Sequence, residues 1–351
     1  MVERWTSAGT FSIRVPTGAR HAELLSEGRL IKSEGFWGII DGVTMDWDAS
    51  GPVTTVVGRQ LKGLAADRIT IPPLFAAVAG AQGYDTANGT TEAIMKHFVD
   101  ANMGPGAAEE RRVSGLEIAP DQGRGMAGDK YMSRHEGLDD VLQALGEAAS
   151  LGWDIVPDLE RGIFVFDVCP GEDHTAGQRD RKRVIFDVDR KTALSQRYQH
   201  SAEDARNYFY ATLSGSEFAD ETLTASYMRT GEAVPLGIRR REKHLSISVQ
   251  TPEAGKEYEE MARKVQVEAE SYRPVESFTC RVAQRPYIYG LDYRVGDLVT
   301  VRAQAWGVTM DAHITEVRST WTDGGVDRDV TFGAAALNIF GRLRRQIRQG
   351  G

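Results

Sequence analysis

One order of motifs occurs twice in this chain, and that repeat limits its possible folds more than any other feature. Near the start stands Phe11-Ser12-Ile13-Arg14-Val15, and near the end Phe278-Thr279-Cys280-Arg281-Val282. Roughly 17 residues after each phenylalanine, a glycine leads an apolar strand: Gly28-Arg29-Leu30-Ile31 and Gly296-Asp297-Leu298-Val299. About ten residues further comes a Trp-Gly pair followed by β-branched residues, Trp37-Gly38-Ile39 and Trp306-Gly307-Val308. One such match would mean little; three in the same order mark a duplicated unit.

The second copy shows what that unit is. Val326, Arg328, Val330 and Phe332 share one face of an extended chain, and Asp327, Asp329 and Thr331 share the other. Period two with β-branched and aromatic residues is a strand with one buried face. Val317, Ser319 and Trp321 alternate likewise, and Thr322-Asp323-Gly324-Gly325 lies between the runs. Asp-Gly there is expected to supply the positive φ values of a tight hairpin. In the first copy Asp48 to Pro52 is the turn and Val53 to Val57 the returning strand. Trp37 and Trp306 are read as core residues beside a glycine that permits close approach.

Between the copies the pattern is mixed. Thr90 or Thr91 caps a helix carrying Ile94, Phe98 and Val99 on one face. A second helix carries Leu138, Val141, Leu142 and Leu145, with Asp139 and Asp140 in its first turn and Gly152 as its stop. A hairpin follows, Trp153 to Val156 and Ile163 to Val168, then a charged surface loop from Glu172 to Arg183 that includes a solvated His174. Strands are expected at Val184 to Val188, Asn207 to Leu213 and His244 to Val249. Thr251-Pro252-Glu253 starts a helix with Tyr258, Met261, Val265 and Ala269 as its stripe. Ile339, Phe340, Leu343 and Ile347 recur at helical spacing among Arg342, Arg344, Arg345 and Arg348. These arginines fit either a solvated helix face or a surface docking on an acidic neighbour. The fold class is therefore α+β. Residues 1–65 form a first β unit, 66–190 an inserted α/β domain, 191–275 a second inserted region, 276–336 a second β unit and 337–351 a basic helix.

Little in the sequence points to chemistry. Gly123 to Gly128 spells GxGxxG, but a dinucleotide site needs that loop between a strand and a helix. Pro120 and Asp121 precede it and no helical stripe follows, so a flexible loop is expected. The seven histidines are scattered; His135-Glu136 lacks the second histidine of HExxH, and His313 is read as packed within a strand. Asn88-Gly89-Thr90 is a sequon without a secretion signal. Two cysteines, Cys169 and Cys280, are too few for a disulfide framework. No run approaches a membrane span, and the longest apolar patch, Leu74 to Ala81, is short. With Lys+Arg 42 against Asp+Glu 50 the net charge is −8, which disfavours tight duplex binding and suits a surface that nucleic acid slides past. No catalytic, cofactor-binding or metal-binding residue is assigned, and no cofactor is expected.

The block Tyr293 to Val301, then Trp306 to Val317, then Val330-Thr331-Phe332-Gly333, resembles the Gp-37-like tail-tip or minor tail proteins of siphoviruses of Gram-positive hosts. Trp5 through Phe11 to Pro16, and Leu138 to Trp153, resemble it too. The resemblance implies a non-enzymatic virion protein of the tail tip, present in host cytoplasm during assembly. It implies a homotrimeric hub ring in which two tube-like β units per chain match a six-fold tube. The implied partners are the distal tail protein, the tape-measure protein and other tail-tip proteins, with viral DNA passing through the lumen without specific binding. The polar strand faces with Asp327 and Asp329 lead us to expect a net acidic lumen. Family members begin with a further strand before the position of Trp5, and this chain is expected to lack it. The rival readings are a tail-associated cell-wall hydrolase and a receptor-binding module using Tyr287, Tyr289 or Tyr293.

Overall fold

The computed structural model describes residues 1–48, 51–72, 84–127, 129–214, 224–228, 231–248, 261–262, 265–266, 268–269 and 272–333. The expected N-terminal half of the helix after Thr251, the basic segment 337–351 and the patch Leu74 to Ala81 lie outside the described residues. The chain divides into two compact units, residues 1–197 with 278–333, and residues 198–277 with 334–351.

In the first unit the chain opens with strand β1 (Val2–Arg4), then β2 (Thr10–Pro16), β3 (Leu30–Ser33), β4 (Phe36–Asp48) and β5 (Gly51–Gln60). β2 to β5 form an antiparallel sheet of order β2-β5-β4-β3. Phe11, Phe36, Ile40 and Val56 are its buried face. β1 corrects one expectation: Val2–Arg4 form the strand before Trp5 and pair with a distant strand, β18 below, through Val2↔Arg318 and Arg4↔Glu316. Three residues with no alternation give no strand signal by sequence pattern.

A 3₁₀ segment, Leu61–Asp67, leads to β6 (Asp85–Gly89), helix α1 (Thr91–Met103), β7 (Leu116–Ile118), β8 (Asp129–Ser133), helix α2 (Leu138–Ala149), β9 (Gly152–Asp158), β10 (Ile163–Cys169) and β11 (Ile185–Asp187). α1 starts as read: the Thr90 hydroxyl accepts the Ala93 N–H at 3.2 Å. Ile94, Phe98, Val99, Leu138, Val141 and Leu142 meet Trp153 and Phe166 in one core. α2 ends earlier than Gly152 suggested. Ser150 takes the left-handed conformation (φ 53°) and Leu151 N–H returns to Gly146 O, so Gly152 opens β9 instead.

The charged stretch from Glu172 is less open than its composition implied. His174 is buried, its Nδ1 lies 2.8 Å from Lys182 O, and its backbone N–H donates to Leu298 O. A strand edge claims that segment, which charge alone does not reveal.

The chain continues with β12 (Ala193–Ser201), then the second unit's β13 (Tyr208–Ser214), β14 (Thr224–Tyr227) and β15 (Glu242–Ser248), in the order β14-β13-β15. Phe209, Ala211, Leu245 and Ile247 pack there with Met261, Val265, Ala269 and Tyr272, the stripe read from the sequence. β16 (Val275–Val282), β17 (Leu298–Ala303), β18 (Val308–Thr322) and β19 (Gly325–Gly333) complete the chain. Strands dominate the fold: 19 described strands accompany α1, α2 and the partly described helix that carries Met261 to Ala269, so the protein is mostly β with a minor helical part. β11 falls within the strand expected at Val184 to Val188, whereas the short strands β6, β7, β8 and β14 carry too few residues for a period to show.

Candidate assembly surface

The two repeats fold alike. β16 to β19 take the order β16-β19-β18-β17, which is β2-β5-β4-β3 with each strand replaced by its counterpart. Hydrogen bonds align the copies residue by residue. Gly28 N–H donates to Ile40 O (2.9 Å) and Ile40 N–H to Arg29 O (3.0 Å). Gly296 N–H donates to Ile314 O (2.8 Å) and Ile314 N–H to Asp297 O (2.9 Å). Register breaks follow at the same step, at Ile40/Gly42 and at Ile314/Glu316. Both hairpins close at equivalent pairs, Asp48↔Gly51 and Thr322↔Gly325. Gly51 (φ 108°) and Gly325 (φ 120°) carry the positive φ, in place of the expected Asp323-Gly324.

This alignment separates the Trp-Gly anchors. Trp37 lies in β4 opposite Lys32, whereas Trp306 lies in the 3₁₀ turn before β18 and is 52% exposed. The β17–β18 hairpin is the longer one, which brings Trp306 to a superficially matching spacing. Trp37 is partly buried against the main core, and a Cβ on Gly38 would meet the Phe11 and Phe36 rings at 2.8 Å. A different pair matches: Trp47 and Trp321 each sit one residue before the tip turn, 82% and 46% exposed.

The copies differ in what covers them. The second sheet gains β11 beside β17, β12 beside β16, and β1 beside β18. Among the described residues the first sheet gains none of these. β1 pairs along Glu316 to Arg318, with Trp5 N–H on Thr315 O and Ser319 N–H on Met1 O. The counterpart stretch, Asp41 to Met45, runs along β4 with β5 on one side and no described strand on the other.

Buried polar joints hold the copies and the middle together. Trp5 stacks on His313 (centroids 4.5 Å, 24°), donates Nε1–H to Cys169 O at 3.2 Å, and lies where any side chain at Gly152 would have to go. His313 is thus packed, as read, with Nδ1 2.6 Å from Gly296 O. Lys62 is 2% exposed and its ammonium donates to the carbonyls of Arg4, Trp5 and Trp153 at 2.6, 2.9 and 2.9 Å. Burial pushes its pKa down, against the pull of Asp154 and Glu3. Arg328, on β19, reaches across to Glu34 in the β3–β4 turn with two contacts of 2.5 and 2.7 Å. It also bonds Gln284 at 2.8 Å.

The glycine loop caps a helix. Thr91 N–H donates to Met126 O and Glu92 N–H to Arg124 O, so the amides that a pyrophosphate would need are engaged. Glu92 is fully buried beneath it, 2.6 Å from Lys96 Nζ, while Arg124 N–H donates to its other oxygen at 2.9 Å. Burial alone would push the Glu92 carboxyl up, but Lys96, the Arg124 amide and both cations hold it below its ordinary value. Lys96 also reaches Asp167 at 2.9 Å.

A shallow cleft of about 520 Å³ opens beside α1, lined by Lys96, His97, Asp100, Pro105 and Glu117 among others. His97 Nε2 lies 2.8 Å from the buried carboxylate of Asp85, which raises the imidazole above its ordinary 6.5 despite partial burial. An NMR titration will place the His97 midpoint above 6.5, and Asp85→Asn will bring it down. Because the folded pKa is raised, the pair's contribution to stability is full below 6.5 and fades as pH rises through the folded value. A His97 midpoint at or below 6.5 would contradict the pairing. Among the described residues no group of three His, Cys, Asp or Glu is placed to hold a metal ion. Both cysteines are free. Burial pushes the Cys280 thiol up to about 12. No described helix is long and apolar enough to cross a membrane.

The sequence matches the Siphovirus ReqiPepy6 Gp37-like protein family over residues 1–334. The chain belongs to that family. No curated protein matches it. Solved structures similar to this Gp37-like chain are tail proteins. One, from Neisseria meningitidis MC58, is 12% identical, with 95% of this chain and 90% of that one covered at TM-score 0.53. Prophage tail protein gp18 from Listeria monocytogenes EGD-e is 13% identical, with 99% and 91% covered at 0.52. The 43 kDa tail protein of prophage MuSo2 from Shewanella oneidensis is 13% identical, with 94% and 92% covered at 0.54. At these identities the likeness is one of fold. The Gp37-like chain thus shares the fold of those tail proteins.

Proposed function

We propose that this chain is the hub subunit of a siphovirus tail tip. Three copies close a ring in which first and second β units alternate, so that a six-fold tube meets a three-fold tip and DNA passes during ejection. The observation that carries this reading is the duplicated sheet: two units of one strand order and one register in a single chain. The Asp41 to Met45 edge, which no described strand pairs, supports it further, because an open strand edge recruits another strand, and the equivalent edge already holds β1. The protein works by geometry, without catalysis, cofactor or metal. Its neighbours are the distal tail protein, the tape-measure protein and other tip proteins, and it resides in the virion after assembly in host cytoplasm. We retain the division at residues 65, 190, 275 and 336, with tube-like β units flanking inserted regions.

One part of the picture changes. Asp327 and Asp329 share their exposed face with arginines: Arg318 stands opposite Asp329 in register, and Arg281 pairs with Asp327. That patch is charge-balanced, so it favours neither attraction nor strong repulsion of a phosphate backbone.

Cryo-EM of the tail tip tests the proposal. Three copies in a ring, with residues 10–60 superimposing on 275–333, are expected; absence from the tip, or any other copy number, overturns it. Replacing both tip tryptophans, Trp47→Ala with Trp321→Ala, will change unfolding free energy by less than about 1 kcal/mol, since both are exposed. It will nevertheless lower incorporation into tails, measured by quantitative blotting of purified virions. Normal incorporation would remove the hairpin tips from the assembly surface.

A further inference from the structure

Among the described residues the most exposed apolar side chain lies in the second unit, between β14 and β15. Val234, Leu236 and Ile238 are 54%, 74% and 101% exposed within five residues. Single exposed apolar residues are ordinary, but a cluster marks a contact surface. An exposure of 101% describes a side chain with no neighbour on any side, so this surface is a projecting tip rather than a groove.

The tip is held firmly. Arg239 N–H donates to Leu236 O (3.2 Å) and Arg240 N–H to Gly237 O (3.0 Å). Asn207 clamps the base: its Nδ2 donates to Arg239 O at 2.8 Å, its Oδ1 accepts Arg241 N–H at 2.8 Å, and its own N–H donates to Arg241 O at 3.0 Å. Arg240 lies 3.5 Å over the Tyr208 ring and pairs with Glu242 at 2.6 Å, so it braces the loop. Arg239 and Arg241 are exposed and form no ion pair with a carboxylate among the described residues, although one Nη of Arg241 donates to the carbonyls of Ala202 and Glu203 and leaves its other guanidinium N–H groups outward. In a chain of net charge −8, two arginines without a described carboxylate partner next to three solvated apolar side chains are a distinctive local chemistry.

We propose that Val234–Arg241 is a membrane-surface anchor, in which Val234, Leu236 and Ile238 enter the headgroup–acyl boundary of an anionic bilayer and Arg239 and Arg241 meet lipid phosphates. A basic collar behind a projecting apolar tip supplies both signals that stable interfacial binding needs. A protein partner would have to offer a deep apolar pocket ringed by acids, and a flat surface would leave Ile238 wet. This inference is independent of the hub reading.

The test is co-sedimentation of the full chain with phosphatidylglycerol–phosphatidylcholine vesicles and with phosphatidylcholine vesicles alone, at low and high salt. The full chain is expected to pellet with the anionic vesicles and to be released by salt. Leu236→Ser with Ile238→Ser, and separately Arg239→Glu, are expected to weaken pelleting about tenfold or more. Their melting temperatures will change little, because the altered side chains are exposed. Failure of the unaltered chain to pellet with anionic vesicles overturns the proposal, as does pelleting indifferent to the serine pair. Self-association that the serine pair abolishes, without vesicle binding, also overturns it by naming a second copy as the occupant.

Discussion

Replacing Trp5 by alanine will lower the unfolding free energy by about 3–5 kcal/mol, the usual loss for a large aromatic in a core. The indole is 6% exposed, stacks on His313, bonds Cys169 O and fills the space that Gly152 and Gly296 leave. Those contacts come from four separated parts of the chain, so no single neighbour can collapse into the hole. A Cβ on Gly152 would lie 2.0 Å from the ring, so Gly152→Ala is expected to cost about 1–3 kcal/mol by overpacking. Denaturant titration measures both. A Trp5→Ala loss below about 1 kcal/mol would show that the joint is soft and that the copies are held elsewhere.

Lys96→Met will cost about 3–5 kcal/mol, because it strands the fully buried Glu92 carboxylate. Lys96 is its closest cation at 2.6 Å, and Arg124 is further away at 3.6 Å. Replacing both partners, Glu92→Leu with Lys96→Met, will cost less than the single change, since no buried charge remains. The same pair sets an acid limit. Glu92 has a depressed folded pKa, so its stabilisation is present above about 4.5 and is lost as pH falls through the folded value. Denaturation from pH 7 to pH 3 will show a steeper decline in the native chain than in the double variant, which keeps only the contribution of other carboxylates such as Asp292. Equal costs for the single and double changes would mean that Arg124 alone satisfies Glu92.

What the sequence disclosed depended on length of pattern. β18 and β19 carry a clean period of two, so Val317, Val330 and Phe332 could be placed inward by inspection. The glycines at 28 and 296 are true counterparts because a bond to the isoleucine at 40 or 314 fixes them. The Trp-Gly match was accidental: a longer hairpin in the second copy displaces Trp306 from Trp37. The real aromatic pair, Trp47 and Trp321, was invisible until register was known. β1 is three residues and gives no local period, and β11, though expected as a strand at Val184 to Val188, pairs with β17 far along the chain, which no local period can signal. The assembly surface was therefore half legible, as a repeat, while the difference in cover between its copies depended on long-range pairing. The apolar tip at Val234 to Ile238 reads as an ordinary loop in sequence, since only exposure distinguishes it from core.

That difference in cover gives equivalent positions unequal histories. A change at Glu316, Val317 or Arg318 is felt at once by β1, and so by the folding of the chain that carries it. The same change at Gly42, Val43 or Thr44 meets no described strand of its own chain. One half of the duplication is thus tied to the opening residues of its own chain, while the other, among the described residues, carries no such tie.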